Sequence, residues 1–263
     1  MTVIDWTDLT RGAKGWDRPV RLTLGVFDGL HLGHRELMKR IMEGSRDVLP
    51  VVVTFRENPT LVLAPQSFPG LILSLRQKLS RLEELGIGGV VLIDFSSEMS
   101  NLSGEAFIAL LKENLAIERL VVGSNFRFGR GREAGPDDLK EMFSDTGTEV
   151  QVTEPVLWGD RVVSSSRIRK TIHEASFSEA RAMLAAAYSI DLRGIHVDRI
   201  GADALRVARG DMKQVLPGVG RYPVTYDGKG GLSHGEIEIR ESHLILDSSV
   251  PDGTTTVIFE HAT

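Results

Sequence analysis

Two histidines three residues apart mark the first candidate site in the sequence. The segment GVFDGLHLGH, residues 25–34, follows the apolar run RLTL and places His31 and His34 behind the turn-forming pair Asp28 and Gly29. This order predicts a strand, a tight turn and a helix that begins near His31. The unpaired backbone N–H groups of a helix start attract anions. Because both imidazoles share one face of the first turn, they could contact a single phosphate group.

The chemistry that suits this arrangement is electrostatic. An imidazole can donate a hydrogen bond to a phosphate oxygen whose negative charge grows during phosphoryl transfer, and Gly33 lets a ligand approach the backbone closely. An ordinary strand-turn-helix connection with two surface histidines is an alternative. A metal site is a weaker one, because zinc-protease helices use HExxH spacing and no third ligand lies nearby in the sequence.

A second polar segment, VSSSRIRKTI at residues 163–172, could bind a polyphosphate. The hydroxyls of Ser165 and Ser166 and the N–H groups behind them can hold phosphate oxygens. Arg169 offers a planar, permanently charged fork for a leaving pyrophosphate. The alternative is a helix cap followed by a basic turn.

Together these segments resemble a known superfamily. GxFDGxHxGH is similar to the first signature of the HxGH nucleotidyltransferases, which attack the α-phosphate of a nucleoside triphosphate and release pyrophosphate. SSSRIR resembles their ISSTxIR motif, with Ser166 in place of the usual Thr. Residues 51–59 (VVVTFRENP) and 120–135 (LVVGSNFRFGRGREAG) resemble the flavin-binding segments of prokaryotic FAD synthetases. The resemblance covers about residues 20–190.

The resemblance implies roles for individual residues. His31, His34 and Arg169 would be catalytic, and the polar edge of Asn125 would suit a flavin. The implied nucleotide-binding residues are Gly25, Phe27, Asp28, Gly29, Gly33, Ser165 and Ser166. The implied flavin-binding residues are Phe55, Asn58, Pro59, Asn125, Phe126, Arg127 and Phe128. Asp28 could equally orient a water or metal or stabilise the turn, and the sequence gives no protein-built metal site.

One segment departs from the family pattern. TFRENP carries Glu57 and Asn58 where the family usually has Pro and His, which weakens any role tied to that histidine. Phe55 and Pro59 remain, so the loop could still line a flavin pocket.

The C-terminal part lacks a motif of the family. FAD synthetases of this type continue into a six-stranded riboflavin kinase barrel that is recognised by GRxxGFPTAN, and this sequence has no Pro-Thr-Ala-Asn segment. Residues 216–228 (LPGVGRYPVTYDG) still resemble the LPxxGVYAV strand of that barrel. Thr225, Asp227 and Glu236 are scattered and fit solvent-facing strand positions better than a magnesium-nucleotide site. We therefore expect a shortened barrel without kinase chemistry.

The pattern of apolar residues predicts the elements that carry these segments. Short β-branched runs alternate with segments of helical period, which is typical of a parallel sheet covered by helices. Strands are predicted at residues 21–27, 49–55, 89–95, 118–124 and 148–154, and helices at 73–86, from Pro136 onward and at 176–188. Alternating segments such as GEIEIRESHLIL and TTTVIFE follow. The expected fold is α/β: a Rossmann-like nucleotidyltransferase domain over residues 1–187, with helices on both faces of its sheet, and a small β-barrel over 188–263.

Composition excludes several classes of protein. The net charge of -5, from 36 acidic and 31 basic residues, provides no positive field for nucleic acid or an anionic membrane. The absence of cysteine excludes disulfides, thiolate nucleophiles and cysteine-ligated metal centres. The N-terminus has no apolar h-region, and no run of roughly 18 apolar residues occurs. We expect a cytoplasmic protein with neither nucleic acid nor membrane as partner, and infer no protein partner.

The predicted function is adenylyl transfer from ATP to FMN, which gives FAD and pyrophosphate, with Mg²⁺ implied by the family. Three alternatives stay open: transfer to another phosphorylated acceptor, a bifunctional riboflavin kinase/FAD synthetase, and a non-catalytic flavin or nucleotide sensor. The intact His31, His34, Ser165, Ser166 and Arg169 argue against a sensor, because a pure binder needs no leaving-group site.

Overall fold

The computed structural model describes residues 1–12, 15–200, 204–247, 249–251 and 253–260. The chain divides into two compact units. The first contains residues 1–68 and 79–162, and the second contains residues 69–78 and 163–263. The functional boundary predicted between residues 187 and 188 stays a prediction.

The first unit is an α/β layer structure. In chain order, its elements, together with the helix α4 that is shared with the segment 69–78, are β1 (Thr2–Asp5), α1 (Trp6–Thr10), β2 (Val20–Leu24), α2 (Leu32–Met42), β3 (Leu49–Phe55), α3 (Pro59–Leu63), α4 (Leu75–Glu84), β4 (Gly89–Ile93), α5 (Ser97–Asn101), α6 (Gly104–Asn114), β5 (Ile117–Gly123), α7 (Pro136–Met142), β6 (Glu149–Thr153), β7 (Leu157–Trp158) and β8 (Arg161–Val162).

Six strands of this unit form one parallel sheet in the order β1-β4-β3-β2-β5-β6. Its central strands β2, β3 and β4 are buried on both faces and consist mainly of Val, Leu and Ile. The charged residue among them, Arg21 of β2, is buried and pairs with Glu118 at 2.7 Å. Leu22 and Val53 pack on one face with Leu9 of α1 and Leu111 of α6, whereas α2 contacts β2, β3 and β5. The predicted Rossmann-like sheet with covering helices is confirmed.

The strand order places two candidate segments at one end of the sheet. The chain runs outward from β2 to β3 and β4, then returns to add β5 and β6 on the other side of β2. The carboxyl ends of β2 and β5 therefore flank a topological switch point, where open α/β sheets bind ligands. GVFDGLHLGH follows β2, and SNFRFG follows β5.

Several predicted boundaries were wrong. The strand predicted at 21–27 ends at Leu24, because Phe27 adopts a left-handed conformation with φ of 50°. The helix predicted at 176–188 ends at Leu184, because the next residue, Ala185, adopts a left-handed conformation with φ of 51°. Tyr188 therefore lies outside the helix, directly before the following strand. Strand β1 was not predicted; it is four residues long and half exposed at the sheet edge.

The second unit joins two helices to an antiparallel sheet. Its elements are α8 (Ser165–His173), α9 (Phe177–Leu184), β9 (Ser189–Asp191), β10 (Val197–Ile200), β11 (Ala204–Ala208), β12 (Gly220–Gly228), β13 (Gly231–Ile239), β14 (His243–Leu246) and β15 (Thr256–Phe259). The sheet has the order β10-β11-β14-β13-β12-β15-β9. This half-barrel confirms the predicted β domain.

Alternation explains the strands of this sheet. The buried residues of β12 and β13 include Val224, Tyr226, Ile237 and Ile239, and the residues between them face outward or lie half exposed.

Among the described residues, no helix combines the length and the apolar character that a membrane span requires.

Candidate active site

The turn after β2 has an unusual backbone. Phe27, Gly29 and Leu30 all have positive φ angles, of 50°, 97° and 47°. Phe27 and Leu30 are nonetheless fully buried. Non-glycine residues in this conformation are costly and persist only where the surroundings impose them, often at functional sites. The tight turn delivers His31 directly to the start of α2.

His31 and His34 are brought together. His31 is the N-cap of α2, and its Nδ1 accepts the backbone N–H of His34 at 3.4 Å. The two rings stack with centroids 3.6 Å apart and planes 17° apart. The Phe27 and His34 rings pack nearly perpendicular to each other, with centroids 5.2 Å apart. The two imidazoles therefore lie together, but His31 precedes the helix as its N-cap with an extended backbone instead of lying in the first turn, as the sequence analysis expected.

Burial determines the protonation state of His31. Desolvation lowers the pKa of its imidazole from 6.5 to about 4, a shift that a backbone hydrogen bond only partly opposes. His31 is therefore neutral at pH 7. Since Nδ1 accepts a hydrogen bond, the ring proton resides on Nε2, which can donate to a ligand oxygen.

The glycines of the motif allow these rings to pack. A Cβ atom on Gly25 would lie 3.0 Å from the Phe27 ring, and one on Gly33 would lie 3.3 Å from Cε1 of His31. A larger residue at either position would therefore press on the Phe27 or His31 ring, in addition to limiting the ligand approach that the sequence suggested for Gly33. Asp28 is 3% exposed within the turn.

The segment after β5 forms an aromatic loop. The rings of Phe126 and Phe128 stack with centroids 5.4 Å apart. Phe128 belongs to the hydrophobic core and exchanges backbone hydrogen bonds with Ala134, whereas Phe126 is half-buried. Asn125 and Arg127 are exposed, and Arg127 Nη1 donates to the Phe126 carbonyl at 2.7 Å. Phe128 thus packs in the core, and its contact with a flavin stays a prediction.

The segment after β3 contains the departure from the family pattern. Asn58 is the N-cap of α3, and its side-chain oxygen accepts the N–H of Thr60 at 3.0 Å. Pro59 occupies the first turn of that helix. The Phe55 ring packs edge-on against Phe95 at 5.6 Å. Asn58 thus has a local role that its residue type explains, since Asn is among the best N-caps.

The third candidate segment lies in the second unit. Helix α8 begins at Ser165, and its N-cap is Ser164, whose hydroxyl accepts the N–H of Arg167 at 3.2 Å. Ser166 is exposed. Arg169 Nε donates to the carbonyl of Gly70 at 2.7 Å. The helix-cap alternative is therefore correct for Ser164, and Ser165 and Ser166 follow it in the first turn.

The predicted site residues fall into both compact units. The two imidazoles and the segments after β3 and β5 belong to the first unit, while Ser165, Ser166 and Arg169 belong to the second. Within the first unit, the histidines and the aromatic loop share the switch-point end of the sheet.

Two side chains that support the turn after β2 were not predicted from the sequence. Arg35 Nε donates to the carbonyl of Leu30 at 3.1 Å, and Thr54 Oγ1 donates to the carbonyl of Val26 at 3.0 Å. Both bonds hold the backbone of the turn from outside it. Arg35 is one helical turn after His31, a spacing that could have suggested it; nothing in the sequence pairs Thr54 with Val26.

Comparison with known proteins decides the family. The family model described as FAD synthetase matches residues 14–167. The chain belongs to the FAD synthetase family. Two relatives of this FAD synthetase family member are named bifunctional riboflavin kinase/FMN adenylyltransferase. The one from Escherichia coli K12 is 33% identical over 68% of this chain and 58% of its own length. The one from Listeria monocytogenes is 27% identical over 86% of this chain and 71% of its own.

The coverage of these relatives is partial. The chain matches less than two thirds of the Escherichia coli protein. A crystal structure of a macrolide-efflux protein from Streptococcus pneumoniae superimposes with a TM-score of 0.83 at 23% identity, over 98% of this chain and 90% of that one. At this level of identity, the likeness shows a common fold.

Proposed function

We propose that this FAD synthetase transfers the adenylyl group of ATP to FMN, giving FAD and pyrophosphate. The observation that carries the proposal is the neutral, buried His31 stacked on His34 at the switch point of the sheet. Two adjacent imidazoles can hold one phosphate group through hydrogen bonds from their ring N–H groups.

The reaction is an in-line displacement. An oxygen of the FMN phosphate forms a bond to the α-phosphorus of ATP, and the bond from that phosphorus to the oxygen bridging the α- and β-phosphates breaks. Nε2–H of His31 would donate to a non-bridging α-phosphate oxygen as its charge grows. His34, fixed by stacking, would bind the same group. Positioning and charge neutralisation supply most of the rate.

Other residues would bind the two ends of the substrates. Arg169 would hold the leaving pyrophosphate with its guanidinium, supported by the hydroxyls of Ser165 and Ser166 in the first turn of α8. Exposed Asn125 and half-buried Phe126 would contact the flavin. Gly25, Phe27, Asp28, Gly29 and Gly33 would shape the nucleotide side through the turn described above.

Magnesium fits this site as a companion of ATP. Mg²⁺ commonly binds through one or two carboxylates together with substrate phosphates, and Asp28 is the acidic residue within the HxGH turn. When bound, the ion would neutralise triphosphate charge. The protein residues would still orient the α-phosphate and the flavin.

Riboflavin kinase activity is the second candidate function. The Listeria relative, which is named bifunctional, aligns over most of this chain, including part of the second unit. We nevertheless propose a one-reaction enzyme, because the Pro-Thr-Ala-Asn segment is missing from the sequence.

Chromatography of flavins distinguishes these functions. Purified chain is incubated with magnesium-ATP and either FMN or riboflavin in separate tubes. We expect FAD from FMN and unchanged riboflavin. FMN formed from riboflavin would establish a kinase, and no conversion in either tube would favour another acceptor or a sensor. Pyrophosphate release that does not depend on flavin would identify transfer to a different acceptor.

A further inference from the structure

The side chain proposed to bind pyrophosphate is held by a backbone carbonyl far away in sequence. Arg169 Nε donates to Gly70 O at 2.7 Å, and both residues belong to the second unit. A guanidinium fixed through Nε keeps its two terminal nitrogens in a defined plane, as bidentate binding of a phosphate requires. The direction of the Arg169 fork therefore depends on where the Gly70 carbonyl lies.

Gly70 is in turn fixed against a C-terminal segment. Its φ is +88°, and a Cβ atom there would lie 2.8 Å from the backbone nitrogen of Val215. The next residue, Leu71, donates its N–H to Lys213 O at 2.8 Å and accepts the N–H of Val215 at 2.8 Å. These two bonds form a parallel bridge between Leu71 and Gln214.

The side chain of Gln214 completes this attachment. It is 6% exposed, and its Nε2 donates to the carbonyls of Ile72 at 3.1 Å and Ser189 at 3.1 Å, and to Gln77 Oε1 at 3.0 Å. Its Oε1 accepts the backbone N–H of Asp191 at 2.7 Å. A buried amide with both ends satisfied makes a rigid connection, because each lost bond would leave a buried polar group unpaired.

We propose that Gln214 is a positioning residue for Arg169, acting through residues 70–72. The proposal rests on the proposed function, in which Arg169 binds the leaving pyrophosphate. It gives the C-terminal part of the chain a task in adenylyl transfer that needs no kinase motif: the segment 213–215 fixes the Gly70 carbonyl, and that carbonyl orients the guanidinium.

A purely structural role would have a different signature. If Gln214 only stabilised the fold, its removal and the removal of Arg169 would affect pyrophosphate binding independently. If Gln214 acts through Arg169, replacing Gln214 in a chain that already lacks the Arg169 side chain should cause no further loss of pyrophosphate affinity. A double-mutant cycle measures this difference directly.

The test is calorimetric titration of magnesium-pyrophosphate into the full chain, with Gln214→Ala, Arg169→Ala and the double variant. We expect each single substitution to weaken binding about tenfold or more, and the double variant to bind no more weakly than Arg169→Ala. Gly70→Ala should reproduce the Gln214→Ala effect from the other side of the bridge. If Gln214→Ala does not fold, Gln214→Asn and Gly70→Ala complete the cycle.

Tyr226→Phe is the matched control. It removes a barrel hydrogen bond, from the Tyr226 hydroxyl to the Glu236 carbonyl at 2.6 Å, that does not involve residues 70–72. It should lower the unfolding temperature and leave pyrophosphate affinity unchanged. Multiplying losses in the cycle, unchanged affinity in Gln214→Ala, or no binding by the wild type would overturn the positioning role. A chain that binds pyrophosphate with a coupled cycle yet makes no FAD would instead refute the proposed function alone.

Discussion

His31 Nδ1 accepts the backbone N–H of His34 while the two imidazole rings stack 3.6 Å apart. One residue thus caps α2, stacks on its neighbour and carries its ring proton on Nε2. In an ordinary N-cap, Ser, Thr, Asp or Asn would accept this N–H. Here a buried histidine takes that place, and the proposed function gives the same residue the α-phosphate of ATP as its ligand.

Capping and catalysis by His31 can be separated by substitution. His31→Asn retains an acceptor for the N–H of His34, whereas His31→Ala does not. Both should lower kcat by roughly 10²–10³-fold, because Ala has no donor and the shorter Asn side chain does not place one where the imidazole Nε2 lies, and only His31→Ala should also lose about 1 kcal/mol of stability. Steady-state FAD formation and urea unfolding measure the two effects.

His196→Ala provides a control for the histidine substitutions. His196 is 81% exposed at its side chain and pairs with Asp198 at 3.0 Å, so its removal should change neither kcat nor stability appreciably. Wild-type turnover in His31→Asn would remove His31 from the mechanism.

The depressed pKa of His31 predicts how stability depends on pH. The imidazole has a pKa of about 4 in the folded chain and an ordinary value of 6.5, so the unfolded chain binds more protons between these values. The free energy of unfolding should therefore fall as the pH decreases from 6.5 to 4. His31→Asn should show a smaller decrease over that window in denaturant titrations. Equal slopes for the two proteins would contradict a buried, neutral His31.

Arg35 is expected to hold the turn in its left-handed conformation. Arg35→Met removes the donor to Leu30 O, and should cost about 1 kcal/mol of stability and several-fold in kcat as His31 loses its position. Arg35→Lys can still donate and should recover part of both losses.

Arg40→Met is the matched substitution on the same helix. Arg40 pairs with Glu36 at 2.9 Å on the exposed face, and its loss should be nearly neutral. If Arg40→Met and Arg35→Met reduced kcat alike, the specific role of Arg35 would be refuted.

The aromatic loop after β5 should govern flavin binding and leave ATP binding unchanged. Asn125→Ala should raise the KM for FMN about 3- to 10-fold, the range expected for one lost hydrogen bond, with the KM for ATP unaltered. Asn101→Ala, at an exposed asparagine whose amide donates to Ser97 O at 2.8 Å, should change neither. A rise confined to the KM for ATP would show that Asn125 contacts the nucleotide instead of the flavin.

Local patterns in the sequence predicted most of the sheet. The run LPVVVTF matches β3 residue for residue, and Pro136 opens α7 as its position after Gly135 suggested. Strands buried on both faces carry continuous β-branched runs, which are visible without tertiary information. The short edge strand β1 carries no such run and was missed.

Contacts between distant residues were beyond the sequence. The left-handed Phe27 and Leu30 carry no glycine signal, because surrounding packing imposes their conformation. The bond from Arg169 to Gly70 joins positions about a hundred residues apart. The short separation of His31 and His34 along the chain allowed their proximity to be predicted, whereas the N-cap bond that stacks the two rings was not predicted.

Adenylyl transfer from ATP to FMN can be tested by tracing the α-phosphorus of ATP into the product. The chain is incubated with FMN, magnesium and ATP labelled either at the α- or at the γ-phosphorus, and the products are separated. We expect the α-label to enter FAD, the γ-label to leave as pyrophosphate, and His31→Asn to slow both equally. A γ-label in the flavin, or FMN that is not converted to FAD while ATP is still present, would contradict adenylyl transfer.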